Sequence, residues 1–184
     1  MPRVAEPQPL PVAQARGGDP AAWRVLFTRY QLPLYAFIFE MVRNEQASMD
    51  IVQETFAGAV RYIGGLRDDA KFASWLFGIA HQKCLLHFRK QHRDVWSDEE
   101  LADAPDDDAE WPGDALLRRE QAEEVRRRLE QLPPPQRAVL LLHFIEDFSL
   151  EEIAAATGVP VGTVKSRLHY AKRALRQLME DNAP

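Results

Sequence analysis

The sequence predicts an all-α protein made of two small helical domains joined by an acidic, flexible linker. In both halves of the chain, apolar residues recur at the three- and four-residue spacing of amphipathic helices, without strand-like alternation of useful length. Between the halves, residues 94–114 contain ten acids and no Lys or Arg. Two helical patterns separated by such an acidic run indicate two domains and a linker.

The overall charge of the chain hides this division. The formal net charge is −5, but outside residues 94–114 there are 18 acids against 23 bases, which gives +5. The two domains are therefore mildly basic, which suits contact with nucleic acid. No apolar run approaches the roughly 20 residues of a membrane span and no apolar signal core is present, so we expect a cytoplasmic protein without direct membrane insertion.

The first domain is predicted over residues 16–93, after a proline-rich, disordered lead-in at residues 1–15. Asp19 is suited to cap a helix, and Pro33 is expected to interrupt it before the apolar stripe continues to Asn44.

Two further helices, at about 45–62 and 72–91, complete this domain, with a loop at 63–71 between them. The residues expected inside the 45–62 helix are Met49, Val52, Phe56 and Val60. Phe72 and Trp75 have the spacing of core residues, and exposed stacking on unpaired bases is the alternative that stays open.

The second domain is predicted over residues 115–184, with helices at 115–131 and 136–146 separated by the prolines at 133–135. The apolar residues expected inside the 136–146 helix are Val139, Leu140, Leu142, Phe144 and Ile145.

Residues 148–176 have the pattern of a helix-turn-helix. Ser149 is suited to cap the first helix, Gly158 tolerates the left-handed conformation of a sharp turn, and Pro160 suits the first turn of the second helix. From Pro160 to Arg176 all charged residues are basic. This is typical of a helix that binds DNA in the major groove, and a basic solvated helix closing a bundle is the alternative.

Several stretches resemble a known family, the bacterial RNA polymerase sigma factors of the extracytoplasmic-function group, which have two conserved domains. They are MDIVQETF at 49–56, FASWLFGIA at 72–80, LP and QR within 132–137, and VGTVKSR at 161–167. The resemblance covers roughly residues 16–93 and 115–180. It implies a subunit that binds core RNA polymerase, recognises the −10 and −35 promoter elements and aids promoter melting. Where the family often has Arg-Asn, this chain has His81-Gln82.

The resemblance also implies where the partners bind. Core polymerase is expected on an outer face of the 45–62 helix, at Asp50, Gln53 and Glu54, and plain solvation of these residues is the alternative. The −10 element is expected at Arg67, Lys71, Phe72, Trp75, His81, Gln82, Lys83, Arg89 and Lys90. The −35 element is expected at Val161, Gly162, Thr163, Lys165, Ser166, Arg167, His169, Tyr170 and Arg173. An anti-sigma factor is an implied partner, and the acidic linker is either a nucleic-acid mimic near the polymerase active centre or a spacer.

The sequence contains no motif for catalysis or metal binding. His81, Cys84 and His87 lie close together, but helical residues six apart point about 240° apart and cannot face one ion. A protonatable histidine near DNA phosphates is the better interpretation. Without a nucleophile–base pair or a phosphate-binding glycine loop, we expect no enzyme, no cofactor and no small-molecule substrate. The alternative function is a stand-alone helix-turn-helix transcriptional regulator, which would dimerise on palindromic DNA.

Overall fold

The computed structural model describes residues 10–91 and 126–180. Every regular element in these ranges is helical, which confirms the all-α prediction. The α-helices are α1 (Val12–Arg16), α2 (Pro20–Val42), α3 (Glu45–Tyr62), α4 (Phe72–Gln91), α5 (described over 126–130), α6 (Pro134–Phe144), α7 (Leu150–Thr157) and α8 (Val161–Glu180). The loop between α3 and α4 contains two short 3-10 helices, Ile63–Gly65 and Asp69–Lys71. The predicted acidic linker lies outside the described residues. No helix within the described ranges is long and apolar enough to cross a membrane.

Helix α2 continues through Pro33, so the predicted interruption is wrong. A proline inside a helix costs about 3 kcal/mol, because it removes one hydrogen bond and crowds the preceding turn. The turns after Pro33 bury a row of side chains that are each at most 1% exposed, namely Leu34, Phe37, Ile38 and Met41. Burial of each contributes about 1.5–3 kcal/mol, so packing outweighs the cost of the proline.

Three of the predicted core residues lie on the surface. Met49 and Val60 of α3 are 47% and 56% exposed, and Ile145, just after α6, is 56% exposed. The inner face of α3 instead includes Ser48 and Thr55, both fully buried. Their hydroxyls donate to backbone oxygens four residues earlier at 2.7 Å, so burying them leaves no hydroxyl without a partner.

The lead-in predicted to be disordered contains a short helix. Within α1, Val12 and Ala15 are 0% and 2% exposed, so this helix packs on the rest of the protein. Five residues make less than two helical turns, too few to produce a recognisable helical period, which is why the sequence pattern did not predict α1.

Helices α1–α4, the N-terminal lobe, pack directly against α5–α8, the C-terminal lobe. Helix α4 lies along α7, where a Cβ atom added to Gly78 would be 3.1 Å from the carbonyl oxygen of Ala156. Beside this close approach, the rings of Phe77 and Phe148 meet edge to face at 5.3 Å between centroids. The absence of a side chain at Gly78 therefore allows the two lobes to approach at this point.

Arg137 of α6 forms a second connection between the lobes. Its Nη1 donates to the Met41 carbonyl at 2.7 Å, near the end of α2. Its Nη2 donates to the carbonyls of Glu130 and Leu132 at 2.6 and 3.1 Å. The guanidinium thus satisfies carbonyls near the ends of two helices, where backbone acceptors lack helical partners and the helix dipole favours a cation. Around it, ion pairs join Arg43 to Glu130 at 2.8 Å and Arg126 to Glu40 at 3.2 Å.

Candidate polymerase and nucleic-acid interfaces

The helix-turn-helix formed by α7 and α8 has caps at both ends of its first helix. The Ser149 hydroxyl accepts from the Glu152 backbone N–H at 3.2 Å, and the Glu152 carboxylate accepts from the Ser149 N–H at 2.9 Å. At the other end, Gly158 adopts φ +72° and its N–H donates to the Ala154 carbonyl at 2.9 Å. The predicted Ser149 cap and Gly158 turn are therefore present, and Pro160 immediately precedes α8, which begins at Val161.

Helix α8 has one buried face and one exposed face. Val164, Leu168, Ala171 and Leu175 lie inside and are 0–7% exposed. Of the residues predicted to contact the −35 element, Gly162, Lys165 and Arg173 are exposed, and Val161, Thr163, His169 and Tyr170 are half-buried. The exposed part of α8 is therefore basic.

Ser166 and Arg167 differ from the other predicted −35 residues because they are only 5% and 3% exposed. The Ser166 hydroxyl donates to the Gly162 carbonyl within the helix at 3.1 Å. Arg167 lies near enough to His81 of α4 for its charge to act on that imidazole. Arg167 is therefore buried beside α4, whereas Ser166 is buried with its hydroxyl bonded inside α8.

The predicted −10 residues also divide into exposed and buried ones. The exposed residues are Arg67, Lys71, Gln82, Arg89 and Lys90, and the half-buried ones are Trp75 and Lys83. Phe72 is fully buried, with its ring 5.5 Å from that of Tyr30 and 5.8 Å from that of Trp75. In this arrangement Phe72 is therefore a core residue and cannot stack on unpaired bases, whereas part of the Trp75 side chain is exposed.

His81 is 2% exposed at the contact between α4 and the C-terminal lobe. Burial, with a contribution from the positive charge of Arg167, lowers the pKa of its imidazole to about 4. Neither ring nitrogen has a hydrogen-bond partner among the residues that the structure describes. His81 is therefore neutral at neutral pH, and in this arrangement it is too buried to be the protonatable histidine expected near DNA phosphates.

The predicted polymerase-binding and −10 residues meet in one groove. Asp50, Gln53 and Glu54 are all exposed on α3. A groove of about 470 Å³ runs between α3 and α4, and its lining includes Asp50 and Glu54 on one side and Lys83 and Lys90 on the other. Lys83 donates to the Glu54 carboxylate at 2.9 Å, and this hydrogen bond holds the pKa of Glu54 below its usual value. Lys83, which was predicted to contact the −10 element, is thus paired with Glu54, which was predicted to contact core polymerase.

Two arginines missing from the predicted site residues make long-range contacts. Arg137 is 7% exposed, and it is the one charged residue in the otherwise largely apolar sequence of α6. A lone arginine in such a helix indicates a buried, hydrogen-bonded guanidinium, because an unpaired buried charge is costly. Arg16, at the end of α1, contacts the loop between α3 and α4. No comparable sequence signal marked Arg16.

Two family models match the chain. The model described as sigma-70 region 2 matches residues 26–94, and the model described as sigma-70 region 4 matches residues 122–175. The first match includes α3, α4 and the loop between them, and the second includes the helix-turn-helix.

Relatives match over almost the whole chain. The chain is 30% identical over 178 residues to the "ECF RNA polymerase sigma factor SigW" of Bacillus subtilis, covering 92% of this chain and 95% of the relative. It is 32% identical over 177 residues to the "RNA polymerase sigma-H factor" of Pseudomonas aeruginosa, covering 92% of each.

Solved structures show a similar fold. CnrH in complex with the cytosolic domain of CnrY matches with a TM-score of 0.69 and 26% identity, covering 94% of this chain and 96% of that chain. The sigma factor RpoE of Bartonella quintana, in complex with the anti-sigma factor NepR, matches with a TM-score of 0.65 and 23% identity, covering 87% and 98%.

Proposed function

This chain belongs to the sigma-70 family of RNA polymerase sigma factors, in its extracytoplasmic-function group. We propose that its C-terminal lobe recognises the −35 element and that its N-terminal lobe binds core polymerase and the −10 element. As a sigma factor it is a non-enzymatic initiation factor that binds core RNA polymerase and promoter DNA. The presence of both sigma regions in one chain carries this conclusion and favours it over a stand-alone regulator.

The C-terminal lobe reads the −35 element with the N-terminal half of α8. The capping box of α7 and the left-handed Gly158 after it fix how α8 leaves the turn. The exposed Lys165 lies in the part of α8 with which a recognition helix reaches base edges and phosphates. Arg167 joins this surface once the C-terminal lobe leaves α4, because it is buried near His81 in the packed arrangement.

The N-terminal lobe binds core polymerase through α3 and the −10 element through α4 and the preceding loop. Support for the first assignment comes from the exposed face of Asp50, Gln53 and Glu54, which has no apolar packing role. Support for the second comes from the exposed cations Arg89 and Lys90 near the end of α4, which suit backbone phosphates. The Glu54–Lys83 ion pair lies where the two surfaces meet, so we expect each surface to affect the other.

Run-off transcription with purified core polymerase, on a pool of genomic fragments, tests this function. With the protein present, we expect new transcripts whose start sites share two spaced upstream elements. If no new transcripts form, and the chain instead shifts palindromic DNA as a stable dimer, the sigma-factor function is refuted.

Two pairs of variants test the assignments on the mapped promoter. Asp50→Ala is expected to weaken core binding, whereas Glu45→Ala removes the same charge from the first turn of α3 and should not. Lys165→Ala is expected to weaken promoter binding by about 1–3 kcal/mol, whereas Arg24→Ala, an exposed arginine on α2, should have no effect. Unchanged binding by Asp50→Ala or by Lys165→Ala contradicts the corresponding assignment.

We infer that the protein acts in the cytoplasm, where RNA polymerase transcribes, and that an anti-sigma factor binds it. The fold shared with CnrH, which is bound to the cytosolic domain of CnrY, supports such a partner. An affinity-tagged full-length chain should capture a protein that suppresses run-off transcription in proportion to its amount. Captured proteins that never suppress transcription would refute this inference.

A further inference from the structure

Helix α1 lies outside the residues matched by the sigma-70 region 2 model, yet it is firmly attached to the N-terminal lobe. Val12 and Ala15 are buried, and the Trp23 indole Nε1 donates to the Ala15 carbonyl at 3.0 Å. After α1, Gly18 adopts φ +86° and the chain turns into α2. The end of α1 therefore has a fixed position on the lobe.

Arg16, the last residue of α1, reaches across to the loop between α3 and α4. Its Nη2 donates to the Leu66 carbonyl at 3.0 Å and pairs with the Asp69 carboxylate. Within the described part of the chain, the other hydrogen bonds of residues 66–69 are local to the loop. At Gly64 and Gly65 an added Cβ would meet nothing within 4 Å, so these two glycines face open space, whereas the Leu66 side chain is buried at 9% exposure. Beyond the packing of Leu66, Arg16 thus ties the polar part of this segment to α1.

The two contacts of Arg16 lie on either side of Arg67, which is exposed. Holding the backbone at Leu66 and the side chain at Asp69 limits the directions in which the Arg67 side chain can point. Ordering a loop before binding lowers the entropy that must be lost on binding. Because the Arg16 and Asp69 side chains are 32% and 42% exposed, their ion pair contributes little to global stability, so its effect should be local.

We propose that Arg16 is a positioning residue for −10 recognition, which acts by fixing the Leu66–Asp69 segment so that Arg67 faces the opened DNA strand. This inference rests on the proposed function of the loop. It assigns a role in −10 recognition to α1, a helix that the region 2 model does not include.

The functional test uses full-length protein with core polymerase. The probe is a fork-junction fragment of the promoter mapped by run-off transcription, with the −10 non-template strand single-stranded. Arg16→Ala should bind this probe about 3- to 10-fold more weakly. Its binding to core polymerase and to a duplex carrying the −35 element alone should be unchanged. Arg16→Lys should recover most of the loss, because one ammonium can donate to both oxygens. Arg24→Ala serves as the matched control. Wild-type affinity of Arg16→Ala for the fork probe overturns the proposal.

A simple charge effect is distinguished by Asp69→Asn. If Arg16 acts only by neutralising the Asp69 carboxylate near DNA, then Asp69→Asn in the Arg16→Ala background restores wild-type binding and overturns the positioning role. If Arg16 positions the loop, the double variant stays as weak as Arg16→Ala, since neither change restores the bond to the Leu66 carbonyl.

Amide hydrogen exchange separates failure of this inference from failure of the proposed function. In the protein without DNA or polymerase, Arg16→Ala should accelerate exchange across residues 66–71 and leave the rest of the N-terminal lobe unchanged. Unchanged exchange in this segment overturns the positioning role even if the wild-type protein directs transcription. Faster exchange in a protein that directs no transcription refutes the proposed function, and with it the role in −10 recognition.

Discussion

The packing of the two lobes depends on Arg137, which makes its removal a sharp test of the structure. Replacing Arg137 with Ala leaves the carbonyls of Met41, Glu130 and Leu132 without their donor. The bonds to Met41 and Leu132 are buried, whereas the bond to Glu130 is only partly buried and water can replace it. The stability loss should therefore come mainly from two buried acceptors.

Each buried acceptor left without a partner costs about 1–3 kcal/mol, so losing two should reduce the free energy of unfolding of Arg137→Ala by about 2–6 kcal/mol. Burial lowers the pKa of the Arg137 guanidinium from its usual value, and losing this buried charge recovers part of the desolvation cost. The remaining loss is still large beside the roughly 5–15 kcal/mol that stabilises a typical protein.

Urea unfolding followed by far-UV circular dichroism measures this loss. Arg137→Met keeps most of the side-chain volume but none of the hydrogen bonds, so it should lose nearly as much stability as Arg137→Ala. Arg137→Lys should lose less, because its ammonium reaches some of the carbonyls. Arg24→Ala, on the surface of α2, should change stability by no more than about 0.5 kcal/mol. A loss below about 1 kcal/mol for both Arg137→Ala and Arg137→Met would refute the role given to these bonds.

Three further predictions concern the C-terminal lobe and its contact with α4. Ser149→Ala removes the cap of α7 and should cost about 1 kcal/mol in urea unfolding; an unchanged midpoint would contradict the capping box. Because the unfolded chain protonates His81 near pH 6.5 and the folded chain only near a pKa of about 4, stability should fall as the pH drops through this window. His81→Leu should reduce that fall, and an identical pH profile would argue against a buried, neutral imidazole. Burial raises the pKa of Glu146 from 4.5 to about 7, so the folded chain keeps this carboxyl protonated to a higher pH than the unfolded chain does. The protein should therefore lose stability as the pH rises between these values. Glu146→Gln should remove this dependence and stabilise the protein at pH 8, and a destabilised variant would contradict the assignment.

Local signals in the sequence predicted local structure well. Asp19 accepts from the Ala21 N–H at 2.9 Å, Ser149 caps α7, and Gly158 adopts the expected left-handed conformation. Each of these features depends on residues within four positions of one another, so the sequence alone contains the necessary information.

Burial within a helix was harder to predict, because it depends on which neighbours a helix meets. Met49 and Val60 follow the apolar spacing of α3 but lie on its surface. Ser48 and Thr55 are buried because their hydroxyls bond to the backbone of their own helix. Hydropathy alone does not distinguish a hydroxyl that is satisfied locally from one that needs water.

Contacts between distant segments could not be predicted from the sequence pattern. Asp50, Glu54 and Lys83 were each predicted as site residues, but their meeting in one groove depends on how α3 and α4 pack. The bond from Arg137 to Met41 joins residues 96 positions apart, and nothing local to either residue specifies the other. The candidate site was therefore predictable as a set of residues, and its arrangement was not.

The packed lobes also bear on how promoter binding takes place. Arg167 is buried near His81 of α4, so on the proposed assignment it reaches DNA only after the C-terminal lobe separates from α4. A ligand shifts such an equilibrium only by as much as it binds one state better than the other. Core polymerase and the two promoter elements must together offset the loss of the Phe77–Phe148 contact and of the Arg137–Met41 bond. Variants that weaken the contact between the two lobes, without altering exposed DNA-facing residues, should therefore bind the −35 element more tightly in the absence of polymerase. In such variants, separating the lobes costs less free energy.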